Sequence, residues 1–329
     1  MLRIGIVGTG HIGEVHALNV AAHPLAHLVA AASLHGTTAG KVARRSGAQH
    51  RGVEAVLDAD DIDAVIIATP TDTHAGLIER AAAAGKAIFC EKPVDLDVER
   101  TRACLRAVQS AKVPLMIGFN RRFDGNFAEL KRQLDAGAVG DCEMVTILSR
   151  DPQPPPAEYL PGSGGLFRDM TIHDFDMARH LLNEEPVSVY AVGSALVDPD
   201  LRTTGHIDTA SVTLTTRSGR IAHISNSRRA TYGYDQRIEV HGSEGMLRAE
   251  NLHTSTVEKA GAGGFTRAPL LPFFPERYSQ AFRAEIDAFI TAVLAGTAIA
   301  PSGEDGLRAQ ILADAAVESQ LTGTAVRIG

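Results

Sequence analysis

Apolar and polar positions alternate in two different rhythms along this chain, and the change falls near residue 120. Before it, short apolar runs bounded by turn residues are separated by segments of helical spacing. LRIGIV, HLVAAAS, AVIIATP, AIFCEKP and PLMIGFN read as five strands. HIGEVHALNVAA, KVARRSGA, HAGLIERAAAAGK and VERTRACLRAVQSAK read as the helices between them. Strands alternating with helices predict a parallel sheet doubly wound by helices, an α/β domain over residues 1–119. After Asn120 the rhythm breaks. A helix at NFAELKRQLDAG leads to a strand at VGDCEMVTILSR. Then VSVYAVGSAL, DTASVTLTT, RIAHISNSRR, QRIEVHGS and GMLRAE follow one another across short polar turns, which suits an antiparallel sheet. GAGG at 261–264 reads as a turn, and helices are expected at 276–294 and 303–321. Residues 120–329 are therefore expected to form an α+β domain.

The first apolar strand runs straight into Gly8-x-Gly10-x-x-Gly13 and a helix. That is the context in which a GxGxxG loop binds a dinucleotide. Gly8 permits the tight turn, Gly10 the approach of a pyrophosphate and Gly13 the close lie of the helix, whose positive end faces the phosphates. A parallel sheet binds ligands at the carboxyl ends of its strands, so Thr69-Pro70, Glu91-Lys92-Pro93 and Asn120 point to the same crevice. An acid about 20 residues beyond the glycines normally holds the ribose hydroxyls. Here the second strand ends in Ser33-Leu34-His35, without one. Ser33, His35 and Thr37 can donate to a 2′-phosphate, with Lys41 or Arg44 nearby, so NADP is admissible beside NAD. In EKP, Pro93 restricts the backbone before it. Lys92 is then a cation of fixed direction, suited to an oxygen on which negative charge builds. The plainer alternative is a surface lysine at a strand end.

Residues 167–180, FRDMTIHDFDMARH, concentrate titratable groups in a helical pattern. At 100° per residue, Asp169, His173, Asp176 and His180 fall within about 60° of one another. That arrangement predicts one polar stripe facing water, a metal or a substrate. Asp169 can instead cap the helix, or pair with His173 on zinc, which would need a third ligand. Tyr232 and Tyr234, two apart, are expected to face the same way if they lie in a strand, toward a cavity or toward the core. His74 and His223 have no constellation around them.

Composition narrows the function classes. With 44% apolar and 22% charged residues and a net charge of −7, the 329-residue chain reads as ordinary globular protein of two domains. No basic patch suggests nucleic acid, and no long apolar run suggests a membrane span. Three cysteines without CxxC spacing, and an N-terminus entering a strand directly, suggest a reduced cytoplasmic protein.

Six motifs in order, GTGHIG, ATPTDTH, CEKP, MIGFNRRFD, DMTIHDFD and YGYDQRIEVHGSEG, span residues 4 to 245. Through them the chain resembles the Gfo/Idh/MocA oxidoreductases, most closely the inositol 2-dehydrogenase branch. The resemblance implies an N-terminal Rossmann domain for the nicotinamide cofactor. It also implies a second domain with a large, mostly antiparallel sheet that binds substrate and mediates homo-oligomerisation to dimers or tetramers. On it, Gly8, Gly10, His11, Ile12, Gly13, Ser33, His35, Thr69, Pro70, His74, Glu91, Lys92 and Asn120 are cofactor-side candidates. Lys92, Asp169 and His173 become the catalytic set, with His173 as general base, and Arg122, Tyr232 and Tyr234 join them around the polyol. No metal is implied. Two features depart from the pattern: neutral Ser33, and the proline-rich SRDPQPPP at 149–156 in place of a polar loop. The expected reaction is oxidation of a secondary hydroxyl of myo- or scyllo-inositol, or a related cyclic polyol, by NAD or NADP. A pyranose dehydrogenase or reductase, a silent dinucleotide-sensing regulator, and a glycoside-cleaving enzyme using NAD transiently are the alternatives.

Overall fold

The computed structural model describes residues 1–34 and 38–328, so the expectations for His35 and Thr37 lie outside the described residues. Contacts divide the chain into two compact units. The first holds β1 (Leu2–Val7), α1 (His11–Ala21), β2 (Ala26–Ala32), α2 (Ala39–Ser46), β3 (Gln49–His50) and α3 (Val53–Leu57). It continues with β4 (Ala64–Ile67), α4 (His74–Ala83), β5 (Ala87–Glu91), α5 (Val98–Ala111) and β6 (Leu115–Gly118). The sheet order is β3-β2-β1-β4-β5-β6 and every pairing is parallel. The doubly wound expectation holds, with β3 and α3 added; two exposed residues are too short a run to read as a strand. The order reverses between β1 and β4, the place where parallel sheets of this kind open a ligand crevice.

The second unit holds α6 (Gly125–Asp135), β7 (Cys142–Arg150), α7 (Leu160–Ser163), α8 (Ile172–Leu182), β8 (Pro186–Ser194), β9 (Thr209–Thr216) and β10 (Ile221–Ser227). Then come β11 (Asp235–Gly242), β12 (Gly245–Ala249), β13 (Glu258–Gly261), β14 (Gly264–Arg267) and α9 (Phe274–Arg277). Helix α10 (Ser279–Ala295) falls in the first unit from Ala281 on, the division passes within α11 (Gly303–Thr322) after Gln310, and β15 (Val326–Arg327) closes the second unit. Seven strands form a sheet in the order β12-β11-β7-β10-β9-β8-β15. Only β7 and β10 run parallel, so the sheet is mostly antiparallel, as expected. Along β9 partly exposed and buried residues alternate, the period-2 pattern of a sheet with one covered face.

The boundary near residue 119 needs a correction. The first unit runs to Phe123 and also takes Ala281–Gln310. The reason is packing: α10 turns Ile286, Phe289 and Ile290 into the same core as Ile4, Ile6, Phe89 and Met116. All three cysteines are free and buried, as packing residues would be, and burial pushes the Cys104 thiol up to about 12. Among the described residues no helix is long and apolar enough to cross a membrane.

Candidate active site

In the first unit the glycines of the β1–α1 turn do three separate jobs. Gly8 has φ +101°, and a Cβ there would sit 2.2 Å from the Ala68 carbonyl oxygen. A Cβ on Gly13 would lie 2.0 Å from the oxygen of Gly8, so helix and turn touch. Around Gly10 a Cβ would meet nothing of the described residues within 4 Å. That open approach, beside an α1 N-terminus without a side-chain cap, fits a dinucleotide pyrophosphate. His11 and Ile12 open the helix on the same turn. Thr9 reaches Thr38 across a 2.6 Å hydroxyl contact, tying the loop to the start of α2. Ser33 follows β2 and is partly exposed, while Lys41 and Arg44 lie exposed on α2.

Thr69-Pro70, Lys92 and Asn120 follow β4, β5 and β6, so all stand at the carboxyl edge of the parallel sheet. His74 belongs to the scaffold beneath them. It is 1% exposed, with Nδ1 2.7 Å from the Pro93 carbonyl and Nε2 2.8 Å from that of Thr69. Burial pushes its pKa down, against the pull of those carbonyls. A sealed ring spanning both loops can serve a cofactor only through Thr69 and Pro93, which corrects its place among direct contacts. Glu91 is likewise turned inward, with Oε1 2.7 Å from His16 Nε2. Arg122 donates to Asp305 at 2.9 Å. Burial works against the Asp305 charge, but Arg122 and Ser302 outweigh it and hold the carboxyl at about 2.

In the second unit Asp169 sits in a π-helical turn, Phe167–Thr171, that runs into α8. Such turns break the regular spacing of side chains. The single polar stripe is therefore corrected: Asp169, His173 and His180 are partly exposed, while Asp176 is buried 3.7 Å from Arg179. Asp169 is no cap for α8, whose N-cap position is Thr171. Its Oδ2 accepts from Arg228 at 2.6 Å and its Oδ1 from Tyr159 at 2.9 Å. Burial pushes the Tyr159 hydroxyl pKa up, with Asp169 adding to it. Arg228 also donates to Asp151 at 2.8 Å, so one guanidinium holds two carboxylates in a largely buried setting. Arg228 borders a cavity of about 140 Å³ lined by Pro154, Pro155, Leu160, Leu166 and His206.

His173 is followed on α8 by Asp174. Asp174 is fully buried, accepting from Ser149 at 2.6 Å and from Asn226 at 2.8 Å. This fastens α8 to β7 and β10. Sequence reasoning passed over Arg228, Tyr159 and Asp174. An extra acid inside the HDFD motif was the visible signal for Asp174; for Arg228 only the doubled arginine after β10 stood out.

Tyr232 and Tyr234 do not share a face, because the strand begins later, at Asp235. Gly233 between them has φ +121° and turns the chain. Tyr232 is exposed; it accepts from Arg150 at 3.1 Å and donates to Asp235 at 2.6 Å. Tyr234 is buried against Phe273 and Tyr278. Among the described residues, the one His-and-carboxylate group spaced for a metal is His16, Glu91 and Glu285 rather than Asp169 and His173.

Comparison with known proteins covers nearly the whole chain. Residues 2–119 match the oxidoreductase family with an NAD-binding Rossmann fold, and residues 127–248 match the GFO/IDH/MocA C-terminal domain. The inositol 2-dehydrogenase of Rhizobium meliloti strain 1021 is 56% identical over 97% of this chain and 96% of its own. A myo-inositol dehydrogenase structure from Corynebacterium glutamicum superposes with TM-score 0.96 at 42% identity, covering 100% of this chain and 99% of its own. Scyllo-inositol dehydrogenase from Lactobacillus casei, solved with NAD(H) and scyllo-inositol, gives 0.93 at 32% identity and 99% of both chains. Glycine turn, EKP segment and second-unit sheet thus belong to one pattern, and the chain is a member of the Gfo/Idh/MocA family, an NAD-dependent oxidoreductase acting on CH–OH groups and of inositol 2-dehydrogenase type.

Proposed function

We propose that this enzyme oxidises a secondary hydroxyl of myo- or scyllo-inositol to the ketone. The observation that carries the reading is near full-length similarity to an inositol 2-dehydrogenase, in a chain that has Lys92, Asp169 and His173 in its EKP and DMTIH motifs. The Gly8–Gly13 turn, Ser33, Thr69, Pro70 and Asn120 would hold the nicotinamide cofactor. When bound, NAD supplies the acceptor for the hydride, two electrons leaving with the carbinol hydrogen. His173 takes the hydroxyl proton, a task for which histidine is the usual side chain. Lys92 donates to the same oxygen and stabilises its alkoxide character. Asp169 accepts from a substrate hydroxyl; its fastening by Arg228 and Tyr159 supports an acceptor of fixed direction. Arg122 and Tyr232 complete the polyol contacts. Neutral Ser33 puts no negative charge against a 2′-phosphate, so NADP is admitted beside NAD.

The second-unit sheet exposes Met144, Tyr190, Val192 and Met246, apolar surface that suits burial against another copy. A homo-oligomer acting in the cytoplasm is part of the proposal.

The test is a spectrophotometric screen of myo-inositol, scyllo-inositol, glucose and xylose with NAD and NADP, on wild type and Lys92→Ala. The expected result is cofactor reduction with an inositol, lowered in the variant by at least about a hundredfold, the scale of losing an oxyanion donor. No reduction with any pairing overturns the activity, and a mild variant removes Lys92 from the chemistry.

A further inference from the structure

Three side chains that the reaction does not use converge behind the EKP segment. His16 is on α1, Glu91 ends β5 and Glu285 is on α10. One nitrogen or oxygen from each lies within 4.8 Å of the others. His16 and Glu285 are fully buried, and His16 Nε2 stands 2.7 Å from Glu91 Oε1. Among the described residues neither oxygen of Glu285 has a hydrogen-bond partner. The surroundings are aromatic: the His16 ring meets Phe89 and Phe282 edge-on at 5.1 and 5.9 Å. On β6, Gly118 pairs with Glu91, and a Cβ there would come within 3.1 Å of its carboxyl group. Three elements therefore close in on one glutamate, and that glutamate precedes Lys92.

A lone ionised carboxylate in such a place is far costlier than a proton taken up. Two carboxyl groups this close carry one negative charge between them unless a cation joins them. His16 Nε2 pairs with Glu91, whereas among the described residues no donor reaches either oxygen of Glu285. Burial and the nearby Glu91 both push the Glu285 pKa well above the ordinary carboxylate range.

We propose that Glu285 is a neutral carboxylic acid in the folded enzyme and that Glu285 and His16 are positioning residues, acting through Glu91 to aim Lys92. The second half rests on the reading of Lys92 as the residue that orients the reacting oxygen. No proton leaves the cluster during turnover. Glu91 is fixed by its backbone register with Gly118 and by its side chain's neighbours, so the next residue leaves the sheet in one direction. Deleting Glu285 removes one of those neighbours and opens space into which Glu91 can swing.

Infrared difference spectra of the full-length enzyme test the proton directly, with and without ¹³C-glutamate. A protonated-carboxyl carbonyl band that shifts with the label and vanishes in Glu285→Gln is expected. Kinetics test the positioning. Glu285→Gln, a neutral isostere, should keep kcat near wild type. Glu285→Ala should lose about a hundredfold in kcat, the scale of a 1 Å misplacement, with KM for inositol little changed. Absence of the band overturns the neutral acid, and so does a Gln variant as impaired as Ala. Stoichiometric metal found by elemental analysis overturns it as well, by supplying the cation. An Ala variant with wild-type kcat overturns the positioning role. If Glu285→Ala does not fold, the band and the Gln variant still decide. Full activity in Lys92→Ala would sink the lysine assignment and leave the infrared result standing, so the two failures are separable.

Discussion

At the residue scale, the second unit depends on a cation that sequence reasoning did not single out. Arg228 carries the charge for both Asp151 and Asp169, and all three side chains are nearly buried. Arg228→Met should cost about 3–5 kcal/mol in urea unfolding, since two carboxylates lose their shared counter-charge. It should also lower kcat with inositol. Arg228→Lys keeps the charge but lacks the fork that reaches both acids, so an intermediate result is expected. Stability equal to wild type in the Met variant would show that water replaces the guanidinium. In the first unit, Asp305 gives a pH signature. Its folded pKa, about 2, lies below the ordinary 3.8, so its stabilising effect is present above that ordinary value and fades as pH falls toward 2. Melts of Asp305→Asn between pH 6 and 2.5 should show a shallower acid loss than wild type; parallel curves would remove Asp305 from the acid response. Single residues stand out where a motif carries them, as with Lys92, Asp169 and His173, whose roles belong to the proposal above. They were illegible where one residue's role is set by another far along the chain, as with Arg228 and Asp169, 59 positions apart.

At the element scale, the strands and helices were legible because their periods differ. The misses came where an element departs from its regular form. The π turn at Phe167–Thr171 upset a stripe drawn at constant spacing, and the turn at Gly233 separated two tyrosines assumed to be in a strand. The tight turn at Gly8 and the close lie of the helix at Gly13 were legible because each glycine has its own geometric demand. That difference can be measured. Gly13→Ala forces a Cβ onto the Gly8 carbonyl, so its thermal midpoint should drop and NADH binding weaken together. Gly10→Ala meets no atom of the described residues within 4 Å, so it should melt like wild type yet bind NADH more weakly in a fluorescence titration. Equal NADH affinity in Gly10→Ala and wild type would move the pyrophosphate away from this turn.

At the scale of the whole molecule, the two rhythms along the sequence do not coincide with the two compact units. A chain read by period alone puts α10 with the second sheet, because it follows that sheet in sequence. Its apolar face says otherwise: Ala281, Phe282, Ile286, Phe289 and Ile290 are buried, and three of them belong to the core built on β1, β5 and their neighbours. Amphipathic spacing reports that a helix has a buried face, but not which sheet supplies the cover. The chain therefore leaves the first unit after Phe123 and re-enters it at Ala281. A fragment ending at residue 119 holds every strand of the parallel sheet and the whole glycine turn, yet it lacks these side chains and Glu285. Removing large buried residues from a close-packed core costs about 2–5 kcal/mol each, which exceeds the stability of a typical domain when several go at once. The isolated 1–119 fragment should accordingly show no cooperative thermal transition and no saturable NADH fluorescence, whereas the full chain shows both. A fragment that melts sharply and binds NADH would mean that α10 merely rests on a domain already complete without it.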